Sequence, residues 1–205
     1  MDIAKFKKQP ILGILRGIEL IGLEPLLETI ISSGLKTIEI TMNTLDAPQL
    51  IRRAAKFSAK RLTVGAGTVL DKKALKSALK AGASFIVMPV FVEEVAVYCL
   101  KNKIPFFPGA LTPQEIYRAW DKGAAMVKIF PAKFFGPQYF REIRGPFGGI
   151  ELLACSGVTP QNMQEYFDCG ASAVAFGASV FRKDWLKNKD FKSIAAAIKQ
   201  YTERS

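Results

Sequence analysis

Along the chain, short apolar runs rich in β-branched and aromatic residues alternate with longer stretches whose apolar residues recur every three or four positions. The runs are ILGILR (11–16), KTIEIT (36–41), LTVGA (62–66), SFIVMP (84–89), IPFFP (104–108), AMVKIFP (125–131), IELLAC (150–155) and SAVAFG (172–177). Each has the length of a buried strand. Between them, EPLLETIISSG, DKKALKSALKAG and NMQEYFDCG carry helical periodicity. Strands that alternate with helices pair in parallel through right-handed crossovers.

A shorter repeat marks the joints. SGLKTIEI, AGASFIVM, KGAAMVKI and CGASAVAF each place a glycine where a helix ends and a strand then begins. The glycine supplies the left-handed residue that closes a helix. Helix starts are written out as well. TPQE (112–115) puts Thr112 at the N-cap, Pro113 in the first turn and Glu115 at the capping-box position, and TPQN (159–162) repeats the cap and the proline. Eight βα units in 205 residues predict an α/β fold, one (β/α)₈ barrel domain over residues 1–205 with a short N-terminal helix. A doubly wound open sheet is the alternative, but VGAGTV does not fit GxGxxG and nothing downstream supports a dinucleotide site.

Composition narrows the function. No apolar run reaches the ~18 residues needed to span a bilayer, and MDIAKFKKQP is charged, with no apolar signal core. The expectation is a soluble cytoplasmic protein with no membrane partner. The three cysteines, Cys99, Cys155 and Cys169, lack CxxC spacing and read as reduced and mostly structural. A net charge of +11 raises nucleic acid as a partner, yet the lysines are spread along every helix-like segment and no recognition motif is visible. A solvated basic surface that attracts anionic metabolites is the reading taken. The chain has no histidine. Serine–histidine and cysteine–histidine nucleophiles are thereby excluded, as are most catalytic zinc sites, and no metal or cofactor is expected.

Several polar residues interrupt the apolar pattern near strand C-termini, where barrels hold their active sites. Arg16 closes the first run, Glu39 sits inside TIEIT on the face of Thr37 and Thr41, and Thr68 ends VGAGT. Lys128 lies in AMVKIFP, on the face of Met126 and Phe130. Lys128 could snorkel to the rim. An amine, a carboxylate and a guanidinium from three strands are harder to place on the surface, because helices cover a barrel's outside. A lysine desolvated near Arg16 is expected to have a lowered pKa and to attack carbonyls. The imine so formed is an electron sink, and Glu39 can carry the protons. Lys128 is therefore read as a Schiff-base lysine. Small residues in CSGVTP and FGASVF would let backbone N–H groups approach an anion, which makes Gly157, Gly177, Ala178 and Ser179 phosphate-site candidates. Close packing and chain turning are the plainer account of the same residues.

With these residues placed, the sequence resembles the 2-keto-3-deoxy-6-phosphogluconate and 2-keto-3-deoxy-6-phosphogalactonate aldolases over nearly its whole length. The segments that carry the resemblance are ILRGI, IEITMNT, VGAGTVL, FFPGALTPQE, VKIFPAKFFGPQYF, SGVTPQN and AFGASVF. The resemblance implies a homotrimer of (β/α)₈ barrels that cleaves a phosphorylated keto acid to pyruvate and glyceraldehyde 3-phosphate without metal. It implies Lys128 as the Schiff-base lysine, Glu39 as acid and base, and Arg16 and Thr68 as substrate-anion contacts, with Asn43 and Phe130 beside them. Phosphate contacts fall at Ser156, Gly157, Gly177 and Ala178 or Ser179. Two positions depart from the pattern: Asn43 stands where the gluconate type has arginine, as in the galactonate type, and Ser156 stands in the usual glycine pair. Cleavage of 4-hydroxy-2-oxoglutarate needs the same lysine and glutamate and stays open. So do a phosphate-binding barrel isomerase, with Lys128 as a mere cation, and a non-catalytic binding barrel.

Overall fold

The structure is a computed structural model and describes residues 1–203. Helix α1 (Ile3–Lys7) precedes β1 (Ile11–Leu15), α2 (Leu23–Ser32), β2 (Thr37–Thr41), α3 (Ala47–Ser58), β3 (Thr63–Gly67), α4 (Lys72–Lys80), β4 (Ile86–Val87) and α5 (Glu93–Lys101). Then follow β5 (Phe106–Phe107), β6 (Gly109–Ala110), α6 (Pro113–Asp121), β7 (Val127–Ile129), a 3₁₀ turn (Ala132–Phe134) and α7 (Gln138–Arg144). The chain continues through β8 (Leu152–Cys155), α8 (Met163–Asp168), β9 (Ala173–Phe176), α9 (Lys183–Lys187) and α10 (Phe191–Thr202). All strand pairs are parallel, in the order β5-β4-β3-β2-β1-β9-β8-β7-β6.

The fifth apolar run is where the structure differs from the expected strand. It holds only β5, paired with β4, and a second short piece just beyond it, β6, pairs with β7. Pro108 between them has no N–H to give a ladder. Position 109 must also be glycine-sized, since a Cβ there would come 1.9 Å from the Pro89 carbonyl oxygen. The split strand still closes the ring. Ala125 N donates to Phe106 O (3.0 Å), Lys128 N to Pro108 O (2.8 Å) and Phe130 N to Ala110 O (3.2 Å). The result is the expected (β/α)₈ barrel.

The four repeat glycines, Gly34, Gly82, Gly123 and Gly170, all hold left-handed φ values between 81° and 103°. Thr112 caps α6 with both halves of the capping box formed. TPQN repeats the reciprocal pair. Thr159 N donates to Asn162 Oδ1 (2.7 Å), Asn162 N to Thr159 Oγ1 (3.3 Å) and Met163 N to Thr159 O (2.9 Å), a capped turn over 159–162 that leads into α8 at Met163.

Two apolar layers result. The larger lies between strands and helices. The smaller fills the barrel interior with Leu12, Phe85, Val87, Phe107, Met126 and Leu153, and Phe6 of α1 plugs its N-terminal end against Phe107 at 6.0 Å between centroids. Bulky rings fill that end, and Gly65 gives the Phe85 ring its room, since a Cβ there would collide with it. No helix among the described residues is long and apolar enough to cross a membrane.

Candidate active site

Inward-facing positions alternate along each strand, so Lys128 points into the barrel two residues beyond Met126. Its Cα pairs with Gly109 on β6 and Leu153 on β8. It is 6% exposed, and its Nζ stands 5.0 Å from the Phe130 ring centroid. Glu39, the middle residue of β2, is 1% exposed and pairs with Ile14 and Gly65. Among the described residues, Glu39 Oε2 has no hydrogen-bond partner. Burial pushes the Glu39 carboxyl pKa up, and the positive charges of Lys128 and Arg16 pull against it.

Arg16 follows β1 and is exposed. Its Nη2 donates to Thr68 Oγ1 at 3.4 Å, and Thr68 sits in the left-handed region at φ 55°. The loop after Arg16 is anchored from below: Gly17 N donates to Thr44 Oγ1, and Thr44 Oγ1 is 3.0 Å from buried Thr41 Oγ1. These threonines carried no functional reading in the sequence, though TMNT supplies both the anchor and Asn43.

A cavity of about 510 Å³ opens at the C-terminal ends of the strands. Arg16, Asn43, Thr68, Lys128 and Phe130 line one part of it, and Ser156, Gly157, Gly177, Ala178 and Ser179 line another. Of the residues singled out in the sequence, only Glu39 does not reach the cavity surface; it lies fully buried beside Lys128. Ser156 and Gly157 hold φ values of 80° and 82°, two left-handed residues in succession, which turns the loop after β8 over the cavity.

Cys155, read from the sequence as structural, lines this cavity. Burial pushes its thiol pKa up, and the nearby Lys128 charge pulls it down. Alternation from Leu153 already put it on the inward face, but a thiol looks apolar in a strand pattern. No group of three or more His, Cys, Asp or Glu side chains that could hold a metal occurs among the described residues.

A closed parallel barrel with a lysine and a glutamate buried beneath a cavity at its C-terminal rim defines a (β/α)₈-barrel enzyme. The chain belongs to the KDPG and KHG aldolase family, which it matches over residues 3–197; aldolases are carbon–carbon lyases. It is 29% identical over 197 residues to the 2-dehydro-3-deoxy-6-phosphogalactonate aldolase of Escherichia coli (strain K12), covering 96% of either chain. It is 33% identical over 170 residues to the 2-dehydro-3-deoxy-phosphogluconate aldolase of Pseudomonas aeruginosa, covering 80% of this chain and 77% of that one. The solved native KDPGal structure superposes with a TM-score of 0.89 at 27% identity, over 96% of this chain and 94% of that one.

Proposed function

We propose that the protein is a Schiff-base aldolase that cleaves a 2-keto-3-deoxy-6-phospho-sugar acid to pyruvate and glyceraldehyde 3-phosphate. The observation that carries this reading is the burial of Lys128 and Glu39 together beneath one cavity, at 6% and 1% exposure. Lys128 Nζ, as the free amine, adds to the C2 ketone, and loss of water leaves an imine. Removal of the C4 hydroxyl proton then breaks the C3–C4 bond, whose electrons pass into the imine to give an enamine and release the aldehyde. Protonation at C3 and hydrolysis free pyruvate and the lysine.

Glu39 carries the protons, directly or through a water. A carboxyl whose pKa burial has raised holds its proton more readily than a solvated one, which suits a group that must both accept and return it. Phe130 covers Lys128 and keeps bulk water from the imine. Arg16, with Thr68 beside it, takes the substrate carboxylate. Ser156, Gly157, Gly177, Ala178 and Ser179 offer backbone N–H groups and a hydroxyl to the phosphate, in the loops where barrels commonly bind it. Asn43 adds no cation to the rim, and at this position the chain resembles the galactonate type, so kcat/KM on the two epimers decides between them. The family description also covers KHG, so 4-hydroxy-2-oxoglutarate is a second substrate to test by comparing kcat/KM.

The reading includes a homotrimer. Phe134 and Phe135 are 71% and 54% exposed, the kind of apolar surface that an assembly covers. Sedimentation at the mass of one chain would remove that element. The reaction itself is tested with pyruvate and borohydride followed by peptide mapping. Reductive alkylation should fall on Lys128, and Lys128→Met should stay folded while losing turnover. Alkylation of Lys133, which is exposed in the following 3₁₀ turn, would defeat the assignment.

A further inference from the structure

Helix α10 buries Ile194, Ile198 and Tyr201, spaced i, i+4 and i+7 along one face. The tyrosine brings a polar tip into that apolar face, and a buried phenol needs a partner. The Tyr201 hydroxyl donates to the Val158 carbonyl oxygen at 3.0 Å. Its ring lies 4.4 Å from the Phe176 ring, centroid to centroid. Burial pushes the Tyr201 phenol pKa up, which keeps the group a donor, and a hydrogen bond from Ser179 pulls against it.

These contacts fall on two different loops of the catalytic cavity. Val158 directly follows Ser156 and Gly157 after β8, and Phe176 ends β9 and leads into Gly177 and Ser179. The loop after β8 needs such a hold. Ser156 sits at φ 80°, a strained value for a residue other than glycine, and strain of this kind persists only where the surroundings fix it. Asn162 fixes one peptide of the loop on its exposed side, its Nδ2 donating to Gly157 O at 3.0 Å. Tyr201 fixes the next peptide from the buried side. Each peptide is planar, so a held carbonyl also sets the direction of its N–H.

We propose that Tyr201 is a positioning residue of the phosphate site: it ties the loop after β8 to the loop after β9 and so sets the spacing of the groups that both offer to the phosphate. Tyr201 does not line the cavity and acts only through those loops. Its role rests on the reading of the two loops as the phosphate site.

Tyr201→Phe removes the hydroxyl and keeps the ring. KM for the phosphorylated keto acid should rise about fivefold, the worth of one neutral hydrogen bond, with kcat unchanged. Exchange of pyruvate's methyl protons, which involves no phosphate, should proceed as in the native chain. Ile198→Val is the control for packing: it loosens the same face of α10 and leaves the hydrogen bond alone, so KM should stay native. A second readout needs no turnover. The Kd of glycerol 3-phosphate, measured by titration calorimetry, should rise about fivefold in Tyr201→Phe and not in Ile198→Val. If glycerol 3-phosphate binds with this pattern while no phosphorylated keto acid is cleaved, the aldolase reading fails and the role of Tyr201 stands. Unchanged KM and Kd in Tyr201→Phe, an equal rise in Ile198→Val, or a native chain that does not bind glycerol 3-phosphate overturns the proposal.

Discussion

Gly67 makes the room in which the Glu39 carboxylate lies: a Cβ at position 67 would come 2.3 Å from Glu39 Oε1 and 2.6 Å from its Cδ. The two residues sit on adjacent strands, where Gly67 pairs with Thr41, two residues beyond Glu39. Any side chain at position 67 therefore moves the carboxylate or is itself displaced.

Gly67→Ala is accordingly expected to fold, at a cost of about 1–3 kcal/mol for overpacking, and to lose turnover through Glu39. Pyruvate should still be trapped on Lys128 by borohydride, while exchange of pyruvate's methyl protons slows. The two substitutions share one cause, so Gly67→Ala combined with Glu39→Gln should turn over no more slowly than Glu39→Gln alone. Additive losses in kcat would separate Gly67 from the glutamate.

Glu39→Gln tests both catalysis and stability. Turnover should fall by ~10²–10⁴-fold, the usual worth of general acid–base catalysis, with the pyruvate imine still formed. For stability, burial raises the folded-state pKa of Glu39 above its ordinary value of 4.5. Below that ordinary value both folded and unfolded chains are protonated and the group carries no penalty. As pH rises above it, the unfolded chain ionises first, and the native protein loses stability until its own carboxyl titrates. Glutamine does not titrate. The variant should therefore gain on the native protein as pH rises above about 4.5, by up to ~1.4 kcal/mol per pH unit. Urea unfolding at several pH values measures the difference, and a constant difference would mean that Glu39 is not buried as a neutral acid.

Lys128 and Glu39 were legible in the sequence because each puts a charge into a run that is otherwise apolar, and only an interior polar site explains such a charge in a helix-covered barrel. The helix-closing glycines were legible because their signal is local. Two features were not. The split at Pro108 depends on how ring closure shares one strand between two neighbours, and the Gly67–Glu39 fit depends on register between strands. Each is a property of pairing across the chain, which no window of residues contains.

Ser156 carries a cost that glycine would avoid. Its φ of 80° lies in the left-handed region, and it precedes Gly157, where a Cβ would come 2.4 Å from Lys133 Cβ. Holding a non-glycine residue in such a conformation costs about 1–3 kcal/mol, whereas glycine adds roughly 0.5–1 kcal/mol of unfolded-chain entropy to be lost. Ser156→Gly should therefore leave the protein as stable as before or firmer, by up to about 2.5 kcal/mol. Ser156 lines the cavity, so removal of its hydroxyl should show in binding rather than in chemistry. If it donates to the substrate phosphate, KM for the phosphorylated keto acid should rise about tenfold, the usual loss for one hydrogen bond to a charged group, while exchange of pyruvate's methyl protons stays unchanged. A fall in stability of more than about 1 kcal/mol would show that the serine's own contacts outweigh the strain, and an unchanged KM would remove Ser156 from the phosphate site.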